Sequence, residues 1–283
     1  MGKTDWFIEK FDSKDAVGGL SFRIDEILFE AKTPYQHIRV LKNDFFGNVM
    51  LLDDIVMLTE KDEFYYHDML MHVPLLCVDN PEKVLIIGGG DGGSIREALK
   101  HSCVKKVVLC EIDEAVIDIS RRFFPSLSSG FDDELVELFI GDGIEYVKTH
   151  KQEFDCICID STDPVGPAVG LFTPEFYTGV NECLTPGGVM CAQTESPAWS
   201  LEDVVRIYGN VCKAFKNAHI FTAPSPCYPS GFWSYSIGLN SDKNPAEDFD
   251  RQRASQIAKL CKYYNPDIHR SAFALPNYIQ KKL

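Results

Sequence analysis

From residue 83 onward the chain repeats one pattern: a short apolar run, a glycine or acidic turn, then a stretch with helical spacing. The apolar runs lie at 83–87, 106–110, 136–140, 154–159 and 189–193. Short, nearly continuous apolar runs read as buried strands of a parallel sheet. The intervening segments carry helix signals. Helical spacing covers 94–100. Asp113 stands as a cap before Glu114-Ala115-Val116-Ile117. Thr173-Pro174-Glu175 opens another helix, with Thr at the cap and Pro in the first turn. Ser200-Leu201-Glu202-Asp203 reads as a capping box before a helix with Val204, Tyr208, Val211 and Phe215 on one face. Residues 59–76 form a further helix, with Phe64, His67, Met71 and Leu75 at helical spacing, and 251–262 an amphipathic one. Residues 1–62 differ. Short β-like segments at 21–24, 37–41 and 49–52 are separated by Thr33-Pro34, Lys42-Asn43-Asp44, Gly47-Asn48 and Asp53-Asp54. The pattern predicts a small antiparallel β domain over 1–62 and a doubly wound α/β domain over 63–283.

The densest punctuation is Gly88-Gly89-Gly90-Asp91-Gly92-Gly93, between the first apolar run and its helix. Gly88, Gly90 and Gly93 fit the spacing of a nucleotide-binding turn. Such a turn normally welcomes phosphate, which Asp91 would repel. The acid therefore favours an adenosyl ligand carrying positive charge; the plainer reading is a helix-cap aspartate. Asp91, Glu111, Asp142 and Asp160 all stand at the carboxyl ends of successive apolar runs, the edge where open α/β sheets bind ligands. Glu111 follows Gly88 at the distance of an acid that holds ribose hydroxyls. Asp142 suits an adenine amino group or is a turn aspartate. Tyr66 and His67 read from spacing alone as a core-edge aromatic and a satisfied helix histidine. Tyr35-Gln36 precedes a strand, where a side chain can reach a neighbouring site.

The formal charge of −14 disfavours nucleic acid as a partner and suits cationic small molecules, although solubility alone also accounts for it. Ten cysteines without a C-x-x-C pair or zinc spacing read as reduced thiols of a cytoplasmic protein. The start lacks the apolar core of a signal peptide, and Trp6 breaks the myristoylation pattern. No apolar run approaches membrane-spanning length, so no membrane partner is expected. Asp160 and Asp163 enter a Pro/Gly loop over 164–173 that can close over a ligand. They lack the further ligands of a recognisable metal site, so no metal is expected.

Together, Ile86-Ile87-Gly88-Gly89-Gly90-Asp91-Gly92-Gly93, Cys110-Glu111-Ile112-Asp113, Gly141-Asp142-Gly143, Asp160-Ser161-Thr162-Asp163-Pro164-Val165-Gly166-Pro167 and Tyr228-Pro229-Ser230-Gly231 resemble the spermidine synthases, the polyamine aminopropyltransferases. The resemblance runs from about Trp6 to the C-terminus, with its catalytic region at about 5–240, and includes Tyr263-Tyr264-Asn265-Pro266-Asp267-Ile268-His269. It implies a Rossmann-like, class I methyltransferase-type sheet and transfer of an aminopropyl group from decarboxylated S-adenosylmethionine to putrescine. That donor is a co-substrate, and no cofactor is implied. The resemblance assigns proton acceptance to Asp160 and the nucleoside to Gln36, Gly88, Glu111, Asp142, Gly143 and Pro167. It assigns the amine chains to Tyr66, His67, Asp91, Ser161, Thr162, Asp163, Gln193, Tyr228 and Trp233, with Asp160 again among them. It also implies a homodimer or homotetramer. Chemistry agrees, since sulfonium and ammonium charges call for the carboxylates of Asp91, Asp160 and Asp163. Three rival readings remain: a putrescine methyltransferase, in which the acid at 91 would be lost; an aminopropyltransferase with another acceptor, set by pocket length; and a silent adenosyl-binding subunit, which would have lost Asp160, Asp163 or the tyrosines.

Overall fold

The computed structural model describes residues 5–10, 19–164 and 166–283, apart from the side chain of Pro167. Two short strands, β1 (Trp6–Ile8) and β2 (Ser21–Arg23), form an antiparallel pair. Next come β3 (Glu26–Lys32), β4 (His37–Asn43), β5 (Gly47–Leu52) and β6 (Ile55–Thr59), an antiparallel sheet in sequence order. The two central residues of the β5–β6 turn, Asp53 and Asp54, both have positive φ (49° and 64°), as a tight hairpin of matching twist requires. Strands β3 and β6 go beyond the segments expected from pattern.

Helix α1 (Glu63–Cys77) leads into the large sheet. Its elements are β7 (Lys83–Gly88), α2 (Gly93–Leu99), β8 (Lys106–Glu111), α3 (Glu114–Phe123), β9 (Val136–Ile140), α4 (Gly143–Thr149), β10 (Phe154–Asp160), α5 (Pro174–Cys183), β11 (Leu184–Gln193), α6 (Leu201–Ala214), β12 (Asn217–Pro224) and β13 (Phe232–Leu239). The strand order is β12-β13-β11-β10-β7-β8-β9. β11 to β9 are mutually parallel, and the β12–β13 hairpin extends the β11 edge antiparallel. The strand order reverses between β7 and β10, which makes a crevice at their carboxyl ends. Asp160 is paired there with Gly88. Gly88 has φ +80°, and a Cβ would overlap the Asp160 carbonyl, so only glycine lets the two strands meet so closely.

Helices α1 and α2 pack on one face of this sheet and α4, α5 and α6 on the other. The four-stranded sheet packs Ile38, Val40, Met50, Leu52 and Leu58 against Val116 and Ile119 of α3. Its β3–β4 turn therefore overhangs the crevice. Asp113 and Thr173 cap their helices as expected, through Ala115 N and Phe176 N. Ser200 makes no side-chain cap bond, so the expected capping box does not form. Within the loop expected over 164–173, Gly166–Phe172 forms a 3-10 turn whose Ala168 and Leu171 face the crevice.

One-face spacing understates α1, since only Phe64 and Tyr65 escape burial. The sheet covers one side, and the chain after β13 covers the other. That tail contains α7 (Arg251–Ile257), α8 (Pro266–Ala272) and α9 (Asn277–Gln280), and α7 is shorter than the expected 251–262. Arg253 donates to the carbonyls of Leu75 and Val78, and Asp68 Oδ2 accepts from the backbone N–H groups of Tyr263 and Tyr264 at 2.9 and 3.0 Å. All ten cysteines are free. No described helix is long and apolar enough to cross a membrane.

Candidate active site

The crevice is a cleft of about 1040 Å³ at the carboxyl ends of β10, β7, β8 and β9, the four strands that carry Asp160, Asp91, Glu111 and Asp142. Gln36, Tyr66, His67, Gly88, Gly143, Ser161, Thr162 and Tyr228 also line it. A smaller cavity of about 340 Å³ adjoins it and shares Met57, Tyr66, Ser161, Thr162 and Tyr228 with it. Asp163, Gln193 and Trp233 complete the smaller wall, together with Glu9. Among the sequence-predicted residues, Pro167 alone lies outside the described side chains.

One end of the cleft is built on β8, α3 and the β3–β4 turn. Glu111 is buried, and its Oε1 accepts from Asp113 N at 2.9 Å. Burial pushes its carboxyl up to about 7, against backbone hydrogen bonds that pull it down. Asp113 Oδ2 holds Gln36 Nε2 at 3.0 Å and Thr33 Oγ1 at 2.7 Å, which fixes the overhanging turn over the cleft. Asp142 Oδ1 caps α4 through Ile144 N at 2.7 Å, so it serves as a cap and also faces the cleft.

Asp91 is likewise a cap-type residue and more. Its Oδ1 accepts from Gly93 N at 2.7 Å and lies 3.3 Å from His67 Nε2. His67 Nδ1 meets Glu63 at 2.7 Å, and Arg96 holds both oxygens of Glu63 at 3.0 and 2.8 Å. Burial alone would lower the His67 pKa, but Asp91 and Glu63 outweigh it and raise it well above the ordinary value. His67 is therefore an imidazolium, both satisfied and lining the cleft. Burial would raise Asp91, and His67 brings it down instead. This revises the expected charge count, because the Asp91 anion already faces a fixed cation. His67, Asp91 and Asp160 bring ligand-type atoms within 4.8 Å of one another. With a carboxylate at each ring nitrogen, His67 offers no lone pair to a metal.

Asp160 lines the larger cleft beside Tyr66, which lines both cavities. Tyr66 donates its hydroxyl to Oδ1 at 2.9 Å, and Ser94 donates to Oδ2 at 2.6 Å. Burial and Asp91 raise the Asp160 pKa, while His67, Ser94 and Tyr66 oppose them. Burial keeps the phenols of Tyr66 and Tyr228 neutral, so Tyr66 acts as a donor. In the smaller cavity Gln193 is braced from both ends. Trp233 Nε1 donates to its Oε1 at 3.2 Å, while its amide reaches the Ser161 and Thr162 carbonyls. Glu195, just beyond β11, is pushed up to about 10 by burial and by Asp163, and so holds a proton for that pair. Glu9 accepts from Val56 N at 3.1 Å and is pushed up to about 7 by burial.

Sequence reading missed Glu9, Glu63, Ser94, Arg96 and Glu195. Glu63 alone left a signal, since it precedes His67 by one helical turn. Ser94 and Arg96 stand on the helix expected after the glycine turn, but their partners, like the placement of Glu9 and Glu195, come only from the fold.

The chain matches the spermine/spermidine synthase domain over residues 63–251 and the spermidine synthase tetramerisation domain over 5–60. A polyamine aminopropyltransferase of a Thermoanaerobacter species is 47% identical over 283 residues, covering 97% of each chain. One from Bacillus mycoides is 43% identical over 274 residues, again covering 97% of each chain. A spermidine synthase crystallised with the transition-state analogue AdoDATO superposes with TM-score 0.95 at 41% identity, covering 99% of this chain and 95% of that one. Spermidine synthase from Thermotoga maritima gives TM-score 0.94 at 41% identity, covering 99% and 94%. The sheet that carries the four strand-end acids is therefore a methyltransferase-like sheet put to another use, and the chain belongs to the spermine/spermidine synthase family, the polyamine aminopropyltransferases.

Proposed function

We propose that this enzyme transfers the aminopropyl group of decarboxylated S-adenosylmethionine to putrescine, giving spermidine and methylthioadenosine, with Asp160 as proton acceptor. The observation that carries the proposal is Asp160 on the wall of a nucleoside-sized cleft, hydrogen-bonded to Tyr66, which also lines the adjoining narrow, acid-lined cavity. The donor's adenosine lies in the large cleft. Glu111 accepts from the ribose hydroxyls and Asp142 from the adenine amino group, beside Gln36, Gly88, Gly143 and Pro167. The diamine lies in the narrow cavity between Tyr66, Gln193, Tyr228 and Trp233. Its far ammonium points to Asp163 and its reacting nitrogen to Asp160. His67, Asp91, Ser161 and Thr162 complete the amine-binding wall. A division at 62/63 is part of this reading, with residues of the smaller unit among the lining of each cavity.

The reacting amine arrives as an ammonium, with well under ~0.1% neutral at pH 7 for a lysine-like group. The donor sulfonium and the fixed His67 cation lower its pKa, as does desolvation in the narrow cavity. Asp160 takes the proton as the nitrogen reaches the carbon next to sulfur. The N–C bond forms, the C–S bond breaks, and its electron pair returns to sulfur. Methylthioadenosine leaves as a neutral sulfide, so no acid is needed for departure. Positioning and electrostatics account for the remaining acceleration.

An oligomer is part of this reading. It is supported by the 5–60 match and by the exposed apolar side chains Trp6, Ile8, Ile27 and Phe45 on the small unit. The ten free thiols suit a cytoplasmic setting. The first test is a product assay with the donor and putrescine, cadaverine and spermidine side by side, on native protein and on Asp160→Asn. Spermidine from putrescine, abolished by Asp160→Asn with donor binding retained, supports the proposal. Turnover of spermidine alone would make the acceptor a longer amine, and near-normal turnover by Asp160→Asn would remove the proton-acceptor role.

A further inference from the structure

Oδ2 of Asp160 is enclosed from the protein side. Ser94, on the first turn of α2 and fully buried, donates to it at 2.6 Å, a short charge-assisted bond. Gly89 closes the same side, since a Cβ there would come within 2.8 Å of Oδ2. Oδ1 stays with Tyr66, whose ring lines both cavities. Ser94 itself lines neither cavity. It touches the acid without touching the space where substrates lie.

We propose that Ser94 is the positioning residue of the proton acceptor. Its hydroxyl pins Oδ2 against the glycine turn, so the free lone pair of Oδ1 faces the attacking amine and the carboxylate stays ionised in a buried site. This rests on Asp160 being the acceptor, as proposed above.

The need for such a bond follows from the surroundings of Asp160. Asp91 faces it from the glycine turn, Tyr66 and His67 from α1, Tyr228 from the β12–β13 turn, Tyr235 from β13, and Cys158 from its own strand. Of these described neighbours His67 alone is a cation, and it is already claimed by Asp91 and Glu63. Among the described residues Asp160 has no ion partner of its own, and two O–H donors are what hold its charge. Tyr66 also meets substrate, so its loss mixes two effects. Ser94 isolates one of them.

The experiment compares Ser94→Ala, Ser94→Thr and Asp160→Asn in pH profiles of kcat and KM with one donor and one acceptor. The acceptor's own titration is common to all variants, so only displacement between profiles is read. Ser94→Ala removes a hydrogen bond to the charged form. Its acid limb then moves up by roughly one pH unit, and plateau kcat falls roughly three- to tenfold. KM for both substrates stays within about twofold, and Ser94→Thr, which keeps the hydroxyl, recovers most of the loss. A Ser94→Ala profile superposable on that of the native enzyme overturns the proposal. So does a Ser94→Thr loss equal to that of Ser94→Ala, which would make the site one of packing alone. If Asp160→Asn is inactive and Ser94→Ala is normal, only the role of Ser94 falls. If Asp160→Asn turns over normally, the acceptor assignment falls first.

Discussion

Replacing Glu63 with Gln tests the buried chain Arg96–Glu63–His67–Asp91 at its middle. Glu63 is almost fully buried, with Arg96 on both oxygens and His67 at 2.7 Å. Burial alone would raise its pKa, but the bonds to His67 and Arg96 outweigh burial and bring it from 4.5 to about 2. A shift of that size corresponds to about 3 kcal/mol of folding stability. Breaking one member of a buried pair typically costs about 3–5 kcal/mol, which is the same order. The sign is fixed by the depressed pKa. The contribution is fully present above the unfolded value of 4.5 and is lost as pH falls through 4.5 towards 2. Gln imitates the protonated acid, so Glu63→Gln should cost about 3 kcal/mol at pH 7. The gap from native protein should narrow to roughly half that at pH 3. Urea unfolding at pH 7, 5, 4 and 3, followed by tryptophan fluorescence and far-UV circular dichroism, measures it. A gap that stays constant with pH, or one under about 1 kcal/mol at pH 7, would refute the account of this chain as an ionised network.

Glu111, near half-protonated at pH 7, should make nucleoside affinity pH-dependent. Calorimetry with methylthioadenosine should show roughly tenfold weaker binding at pH 6 than at pH 8, and Glu111→Gln should flatten the curve at the weak level. A Cβ on Gly93 would overlap the His67 ring, which is held by carboxylates on both sides. Gly93→Ala should therefore lower turnover at least roughly tenfold while retaining the native circular dichroism spectrum. Trp233 braces Gln193 and walls the narrow cavity. Trp233→Ala should raise KM for putrescine more than for the donor and relax the preference against longer amines. Unchanged acceptor ratios would show that Trp233 does not shape the pocket.

The sheet was legible because its strands are apolar runs and its turns are glycines and acids. Asp91, Glu111, Asp142 and Asp160 stood out by standing at run ends, and strand order then brought them side by side. The β12–β13 hairpin was not legible: Tyr228-Pro229-Ser230-Gly231 marks its turn, but its role comes from pairing with β11. Tyr66 and His67 illustrate the limit from the other direction. Helical spacing made them ordinary core residues, and they are indeed packed, yet α1 crosses the crevice at that turn. Spacing reports which face of a helix is buried, not what it is buried against. Ser94 and Glu195 are typical of what pattern misses. Each is a single polar residue next to a motif, and its meaning depends on an acid from another strand.

The bond from Asp68 to the backbone of Tyr263 and Tyr264 has a consequence for how the enzyme is made. Asp68 directly follows Tyr66 and His67 on α1, so the clamp sits one residue from the site. A ribosome delivers that helix first and its clamp 195 residues later. A nascent chain released before residue 263 would hold the glycine turn, all four acids and the α7 cover of α1, yet would lack the Asp68 clamp. Cotranslational folding proceeds from the N-terminus. A chain that stops short of Tyr263 should therefore carry every strand of the sheet and yet hold α1 less firmly beside Tyr66 and His67.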